Sequence, residues 1–191
     1  MTSPISSTKR LVVLSAPSGA GKTTIARHLL ERHPQWRFSI SATTRPLRPN
    51  EIDGHDYHFL ARKEFQSRIE AGDLVEWEEI YGNLYGTLRS EIERLLDGDS
   101  GTRVVFDVDV NGALAIRRVF PGDAFLIFIA PPSYEELERR LNARSTESPE
   151  VIARRIERSA MEMQMQPRFD VVVVNDDIER AVAEIEALVG Q

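Results

Sequence analysis

Arg10-Leu-Val-Val-Leu-Ser-Ala-Pro-Ser-Gly-Ala-Gly-Lys-Thr-Thr24 is the stretch that decides the fold. Its first part, Arg10 to Ser15, is a short continuous apolar run closed by turn chemistry, the pattern of a strand buried on both faces. From Thr24 to His33 the apolar residues Ile25, Leu29 and Leu30 recur at helical spacing, and Pro34 ends the run. Between them lies Ala16-x-x-x-x-Gly21-Lys22-Thr23. A loop in this position directs free backbone N–H groups and the positive end of a helix dipole toward a polyphosphate. Gly19 and Gly21 let the backbone approach the ligand, Lys22 reaches the β- and γ-phosphates, and the Thr23 hydroxyl is placed for Mg²⁺. Ala16, Pro17, Ser18, Gly19, Ala20, Gly21, Lys22 and Thr23 are therefore the candidate ATP contacts. Such loops commonly open on glycine; here Ala16 precedes Pro17, which favours extended backbone with negative φ, where alanine fits.

Outward from this loop, strand-like runs recur at Phe38–Ser41, Val104–Val108, Ala124–Ala130 and Asp170–Val174. Helical stretches at Val110–Phe120, Tyr134–Ala143, Pro149–Gln166 and Ile178–Val189 are interleaved with them. Strands alternating with helices predict an α/β fold, a parallel five-stranded core sheet flanked by helices. Ser133 with Glu136 forms a capping-box pattern, and Ser148 precedes Pro149 at a helix start. Residues 42 to 97 break the rhythm with short, polar strand candidates (Tyr57–Leu60, Leu74–Glu78, Asn83–Tyr85) and helices near 63–71 and 88–97. Gly72 and Gly98 stand where those two helices need C-terminal caps. This stretch reads as an inserted α+β lobe, giving residues 9–41 and 99–191 as the core and 42–98 as the lobe. Residues 1–8, rich in serine and threonine, read as a frayed terminus.

Composition narrows the function. The 191 residues carry a net charge of −6, which argues against a protein whose main task is gripping nucleic acid. There are no cysteines, so disulfides, thiolate metal sites and cysteine nucleophiles are excluded. The four histidines offer no metal spacing beyond the weak His55/His58 pair, read as solvated loop residues. No apolar run is long enough to span a bilayer and no signal-peptide segment opens the chain, so a cytoplasmic setting without membrane partners is expected. The sequence leaves homo-oligomerisation open.

Asp107 and Asp109 follow the apolar run Val104-Val-Phe106. Spacing of i and i+2 points both carboxylates to one face of a sheet, beyond the strand end where open parallel sheets bind ligands. Asp107 is the candidate Mg²⁺ group and Asp109 the group for a second substrate; the plainer alternative is that they cap the helix starting near Val110.

At this point the chain resembles the guanylate kinases of bacteria from Arg10 to Val189. The resemblance rests on Ser15–Lys22, Ser41-Ala-Thr-Thr-Arg45-x-x-Arg48, Glu51-x-x-Gly54-x-x-Tyr57-x-Phe59, Glu76 and Tyr81-Gly-Asn-x-Tyr85-Gly-Thr87. It continues through Asp107-x-Asp109-x-x-Gly112, the arginine-rich segment 139–155 and Val174-Asn-Asp-Asp177. It implies a P-loop nucleoside-monophosphate-kinase fold with a GMP-binding lobe and a helical lid at about 138–157. It also implies transfer of the ATP γ-phosphoryl group to GMP, and by the same base chemistry dGMP, with Mg²⁺, as in purine nucleotide metabolism and GMP recycling. Glu76 and Asp109 match the family's guanine-binding carboxylates, Ser41 and Thr87 its hydroxyl contacts, and Arg45, Arg48, Tyr57 and Tyr85 its monophosphate contacts. Guanine presents N1–H and N2–H donors beside an O6 acceptor, so carboxylates with a nearby hydroxyl suit it. Arg140, Arg144 and Arg155 match lid residues that neutralise the moving phosphoryl group, and Asn175 a position near the adenine of ATP.

Four local departures from the family pattern stand out: Ala16, the early proline of Arg45-Pro-Leu-Arg48, Asn50 for a common glycine, and Ser145 for the glycine after Arg144. The plainer reading of the lid arginines is helical ion pairing, as between Glu136 and Arg140 at i,i+4. Two rival functions are a related P-loop kinase for another monophosphate and a non-catalytic guanylate-kinase-like binding module. The acidic pair Glu76 and Asp109 speaks against the first, and the presence of Lys22, Thr23 and the lid arginines against the second.

Overall fold

The computed structural model describes residues 9–80, 82–97, 102–143 and 149–190. In chain order the first elements are β1 (Leu11–Ser15), α1 (Lys22–Arg32), β2 (Arg37–Phe38), β3 (Ala42–Thr43), β4 (His58–Phe59) and α2 (Arg62–Ala71). Next come β5 (Leu74–Ile80), β6 (Asn83–Leu88), α3 (Arg89–Leu96), β7 (Val104–Asp107) and α4 (Val110–Val119). The last are β8 (Ala124–Ala130), α5 (Tyr134–Ala143), α6 (Pro149–Met163), a 3₁₀ turn (Gln166–Arg168), β9 (Val171–Val174) and α7 (Ile178–Val189).

A five-stranded sheet in the order β2-β7-β1-β8-β9 is parallel throughout. Its central strand β1 is buried at every residue. The alternation of side chains explains why Leu11 to Leu14 are all apolar, leaving buried Ser15 as the one polar residue at the strand end. Val12 and Leu14 face α1 and α7, packing with Ile25, Leu29, Val182 and Ile185. Leu11 and Val13 face the other way, packing with Ile92, Val110, Ala113 and Ile116 of α3 and α4. Both faces are thus covered, and ligands have access only at the strand ends.

The inserted stretch folds as a second sheet, β4-β3-β6-β5, with a small core around Ala42, Phe65, Leu84 and Leu88. Its strands mix parallel and antiparallel pairing, the latter joining β5 to β6 and β6 to β3. The strand expected over Phe38–Ser41 is divided. Ser39 N–H still bonds Val105 O in the core sheet at 2.9 Å, whereas Ser41 O accepts from His58 in the lobe at 2.9 Å. The chain passes from one sheet to the other within those three residues. His58 is half-buried in β4 instead of lying in a solvated loop.

The helix expected to run to Gln166 stops at Met163 because Gln166 precedes Pro167, which disfavours helical backbone before it. Gly72 caps α2 at φ 73°, a left-handed geometry that glycine adopts without strain. Gly98, Tyr81, Arg144 and Ser145 lie outside the described residues.

Candidate active site

The loop after β1 places Gly19 and Gly21 at φ 88° and 91°. At Gly21 a Cβ would also run into the Asn175 amide nitrogen, so conformation and space both favour glycine here. Gly21 is also the N-cap of α1, and no side chain caps that helix. Its first N–H groups are left for a ligand, and no acidic residue occupies its first turn. Ala16 is 6% exposed and packs among the core residues of the α1 face, so its methyl group fills space that glycine would leave.

Lys22 and Thr23 converge on Asp107 at the end of β7. The Lys22 ammonium is 2.8 Å from one carboxylate oxygen, and the Thr23 hydroxyl donates to the other at 2.7 Å. Lys22 also donates to the carbonyl of Val108. A hydroxyl and a carboxylate oxygen side by side, at the mouth of a polyphosphate loop, form a donor set suited to a hard, oxygen-seeking cation. Among the described residues no three His, Asp or Glu side chains cluster into a self-sufficient metal cage.

Beside Lys22 and Asp107 the same cleft is lined by Ser41, Tyr57, Glu76, Glu78, Tyr85 and Asp109. Strand register accounts for this acidic wall. Glu76 lies opposite Thr87 and Glu78 opposite Tyr85, so the period of two turns these four side chains to one face while Trp77 points away and is 49% exposed. Thr87 is fully buried and donates to Glu76 at 2.6 Å. Its hydroxyl therefore supports the carboxylate. Burial pushes the Glu76 carboxyl up to about 7; the Thr87 bond opposes this, and the Asp109 charge adds to it. Gly112 lies against it. A Cβ there would stand 3.1 Å from a Glu76 oxygen.

Asp109 reaches the cleft by a different route from the one its spacing implies. β7 ends at Asp107, and Asp109 is the N-cap of α4, accepting from Gly112 N–H at 2.7 Å. The pleat therefore does not extend to it. Capping and cleft-facing roles coexist because a carboxylate has two oxygens, and the second one meets Arg158 at 3.1 Å.

Arg45 makes a paired contact with Glu51 at 2.9 and 2.7 Å, and its guanidinium lies 5.4 Å from the Tyr57 ring centroid and 5.6 Å from that of Phe59. Glu51 also accepts from the backbone N–H of Arg48 at 2.8 Å. Its bond to Arg45 holds the Glu51 carboxyl down at about 2. Tyr57 packs edge-on to Tyr85, with ring centroids 6.2 Å apart, and its burial pushes the phenol up to about 12. Arg48 itself is exposed.

Of the lid arginines, Arg140 donates to Glu136 at 2.7 Å and to the carbonyl of Asn175 at 3.2 Å. The helical ion pair is present, but it also orients Arg140 toward the phosphate loop. Glu136, paired with Arg139 and Arg140, keeps its carboxyl at about 2, and its backbone N–H donates to the capping Ser133 hydroxyl at 3.2 Å. Arg155 is half-buried on α6. Asn175 is 4% exposed, and its amide donates to Ala20 O at 2.7 Å. The side chain thereby braces the phosphate loop from behind.

Sequence reasoning gave no role to Glu51, Gly112, Glu78 and Arg158. The first two stand inside the quoted motifs, and Glu78 could have been found from Glu76 by the period of two. For Arg158 the local signal was only its i,i+4 spacing to Glu162.

A guanylate kinase family model matches residues 8–191. The chain belongs to the guanylate kinase family. It is 54% identical to the guanylate kinase of Salinibacter ruber over 178 residues, covering 92% of this chain and 93% of that one. With the guanylate kinase of Chlorobium luteolum it shares 45% identity over 185 residues, 97% and 93% of the two chains. The crystal structure of guanylate kinase from Anaplasma phagocytophilum superposes with a TM-score of 0.75 at 33% identity, covering 95% of this chain and 85% of that one. A shikimate kinase from Bacteroides thetaiotaomicron, 16% identical, aligns with a TM-score of 0.53 over 92% and 95% of the chains and shows the shared P-loop kinase fold alone. Among the described residues no helix is long and apolar enough to cross a membrane.

Proposed function

We propose that this chain transfers the γ-phosphoryl group of ATP to GMP, releasing ADP and GDP, with dGMP as a second acceptor. The supporting observation is a single cleft lined by both the phosphate-loop lysine and the two carboxylates Glu76 and Asp109. In this reading the 42–98 lobe holds GMP. Arg45 and Arg48, with Tyr57 and Tyr85, take its phosphate, and Ser41, Glu76 and Asp109 read its base, with Thr87 behind Glu76. The N–H groups of residues 16–23 cradle the ATP phosphates, and Arg140, Arg144 and Arg155 gather over the transferring group.

Thr23 and Asp107 would hold Mg²⁺, which would supply charge neutralisation to the nucleotide phosphates. The acceptor phosphate, with a second pKa near ~6, is already largely dianionic at pH 7, so no side chain is needed as a base. What remains for the protein is alignment, neutralisation by Lys22 and the arginines, and exclusion of water, which would otherwise take the phosphoryl group. A cytoplasmic setting, where both nucleotides and Mg²⁺ are at hand, suits this reading.

The test is ADP release with ATP, Mg²⁺ and a panel of nucleoside monophosphates. GMP and dGMP should support turnover far better than AMP or CMP. Equal rates with AMP and GMP, or no release with any of them, would refute the assignment.

A further inference from the structure

Arg158 stands in the middle of α6, with its side chain 27% exposed, and gathers three carboxylates from three elements. Its terminal nitrogen donates to Glu78 of β5 at 2.9 Å and to Asp109 at the head of α4 at 3.1 Å. Its Nε donates to Glu162, one turn further along α6, at 2.9 Å. The carboxylates are well shielded, at 27, 18 and 12% exposure for Glu78, Asp109 and Glu162. One oxygen of Glu162 is buried without a hydrogen-bond partner. Three carboxylates this close repel one another unless a cation stands among them, and the planar fork of arginine can serve several at once.

We propose that Arg158 is a positioning residue for the acceptor base, a clasp that fixes Asp109 and Glu78 and ties the acceptor lobe to the helix carrying Arg155. The inference rests on the assignment of GMP as acceptor and adds a residue to its recognition. Asp109 is held at both oxygens, by Gly112 N–H on one side and Arg158 on the other. Its carboxylate plane is thereby set before any base arrives, with lone pairs left on each oxygen for a guanine N–H. Glu78, opposite Tyr85, is held in the same wall. Arg155 lies three residues before Arg158, on the same side of α6, so lobe position and the donor-side arginine share one helix.

Steady-state kinetics of the full chain test this. Arg158→Ala is expected to raise KM for GMP about tenfold, the scale of one charge-assisted hydrogen bond, with kcat within about twofold and KM for ATP unchanged. Arg158→Lys keeps the charge but not the fork and is expected to recover only part of the loss. Glu78→Gln should raise KM for GMP in the same direction, and the double variant should be no worse than the poorer single one. A KM for GMP that stays level or falls in Arg158→Ala overturns the clasp, as does an equal rise in KM for ATP. If Arg158→Ala does not fold, Glu78→Gln decides alone, with an unchanged KM for GMP counting against the proposal. Failure of the acceptor assignment would look different, because GMP would then not outpace AMP even in the unmodified chain.

Discussion

The two walls of the cleft are built on opposite principles. On the donor side the recognising groups are mostly backbone: α1 begins at Gly21 with no side-chain cap, its first N–H groups left open, and Asn175 braces the loop from behind. On the acceptor side α4 has its first turn capped by Asp109, and recognition falls to side chains on β5, β6 and the loop after β3. In the proposed reading the donor wall recognises a feature common to every nucleoside triphosphate, and a helix terminus with two glycines is enough for that. The acceptor wall must tell one base from another, which needs donors and acceptors at chosen places, each with its own support. Arg45 leans on Glu51 and Glu76 on Thr87. Damage to the donor wall should therefore depress turnover with any acceptor, whereas damage to the acceptor wall should change affinity and selectivity first.

Lys22→Ala gives the sharpest contrast and the largest effect. Removing a preorganised cation from the transferring phosphates should lower kcat by about 10²–10³-fold with GMP and dGMP alike, while the thermal midpoint moves little. A variant that lost selectivity but kept its kcat would break the division between the walls. Next comes Arg45→Ala, expected to raise KM for GMP by about 10²-fold, since a planar, paired contact to a phosphate dianion is lost. Glu51→Gln should produce a weaker shift of the same kind, and isothermal titration with GMP alone separates both from donor effects.

The third expectation concerns pH. Glu76 has its carboxyl raised to about 7, so it is protonated below that pH and ionised above it. Only the ionised form accepts from both guanine donors, so KM for GMP should fall as pH rises, by roughly tenfold between pH 6 and pH 8. The phosphate of GMP also titrates near ~6, but equally in every variant, so the slope lost in Glu76→Gln isolates the carboxyl. A Glu76→Gln profile as steep as that of the unmodified chain would remove Glu76 from base recognition. The smallest effect is expected for Gly112→Ala. The new methyl group, 3.1 Å from a Glu76 oxygen, must displace that carboxylate slightly, raising KM for GMP by about three- to fivefold with kcat retained. Michaelis plots at fixed ATP would show it.

Much of this was legible in residue order. The five core strands, the helices Tyr134–Ala143 and Ile178–Val189, and the phosphate loop follow from local period and turn chemistry, which act within a dozen residues. Errors fell where a non-local partner decides. Residues 38–41 look like one strand, yet two sheets compete for their hydrogen bonds and divide them. Asp109 continues the spacing of Asp107 but leaves the pleat, because the chain has already turned into α4. Asn175 sits at the end of β9 as anticipated, and only packing reveals that its amide is committed to Ala20, 155 residues earlier.

The sequence by itself determined the family and supplied the candidates for its chemistry: a loop for phosphates, carboxylates for a base with paired donors, and arginines for anions. Those signals survive in one dimension because each depends on residue type and short spacing. The tertiary structure alone decided which groups support which, among them Thr87 behind Glu76, Glu51 behind Arg45, and Arg158 among Glu78, Asp109 and Glu162. Such pairings join residues up to 80 positions apart, and the directional, short-range nature of hydrogen bonds leaves no periodic trace of them along the chain.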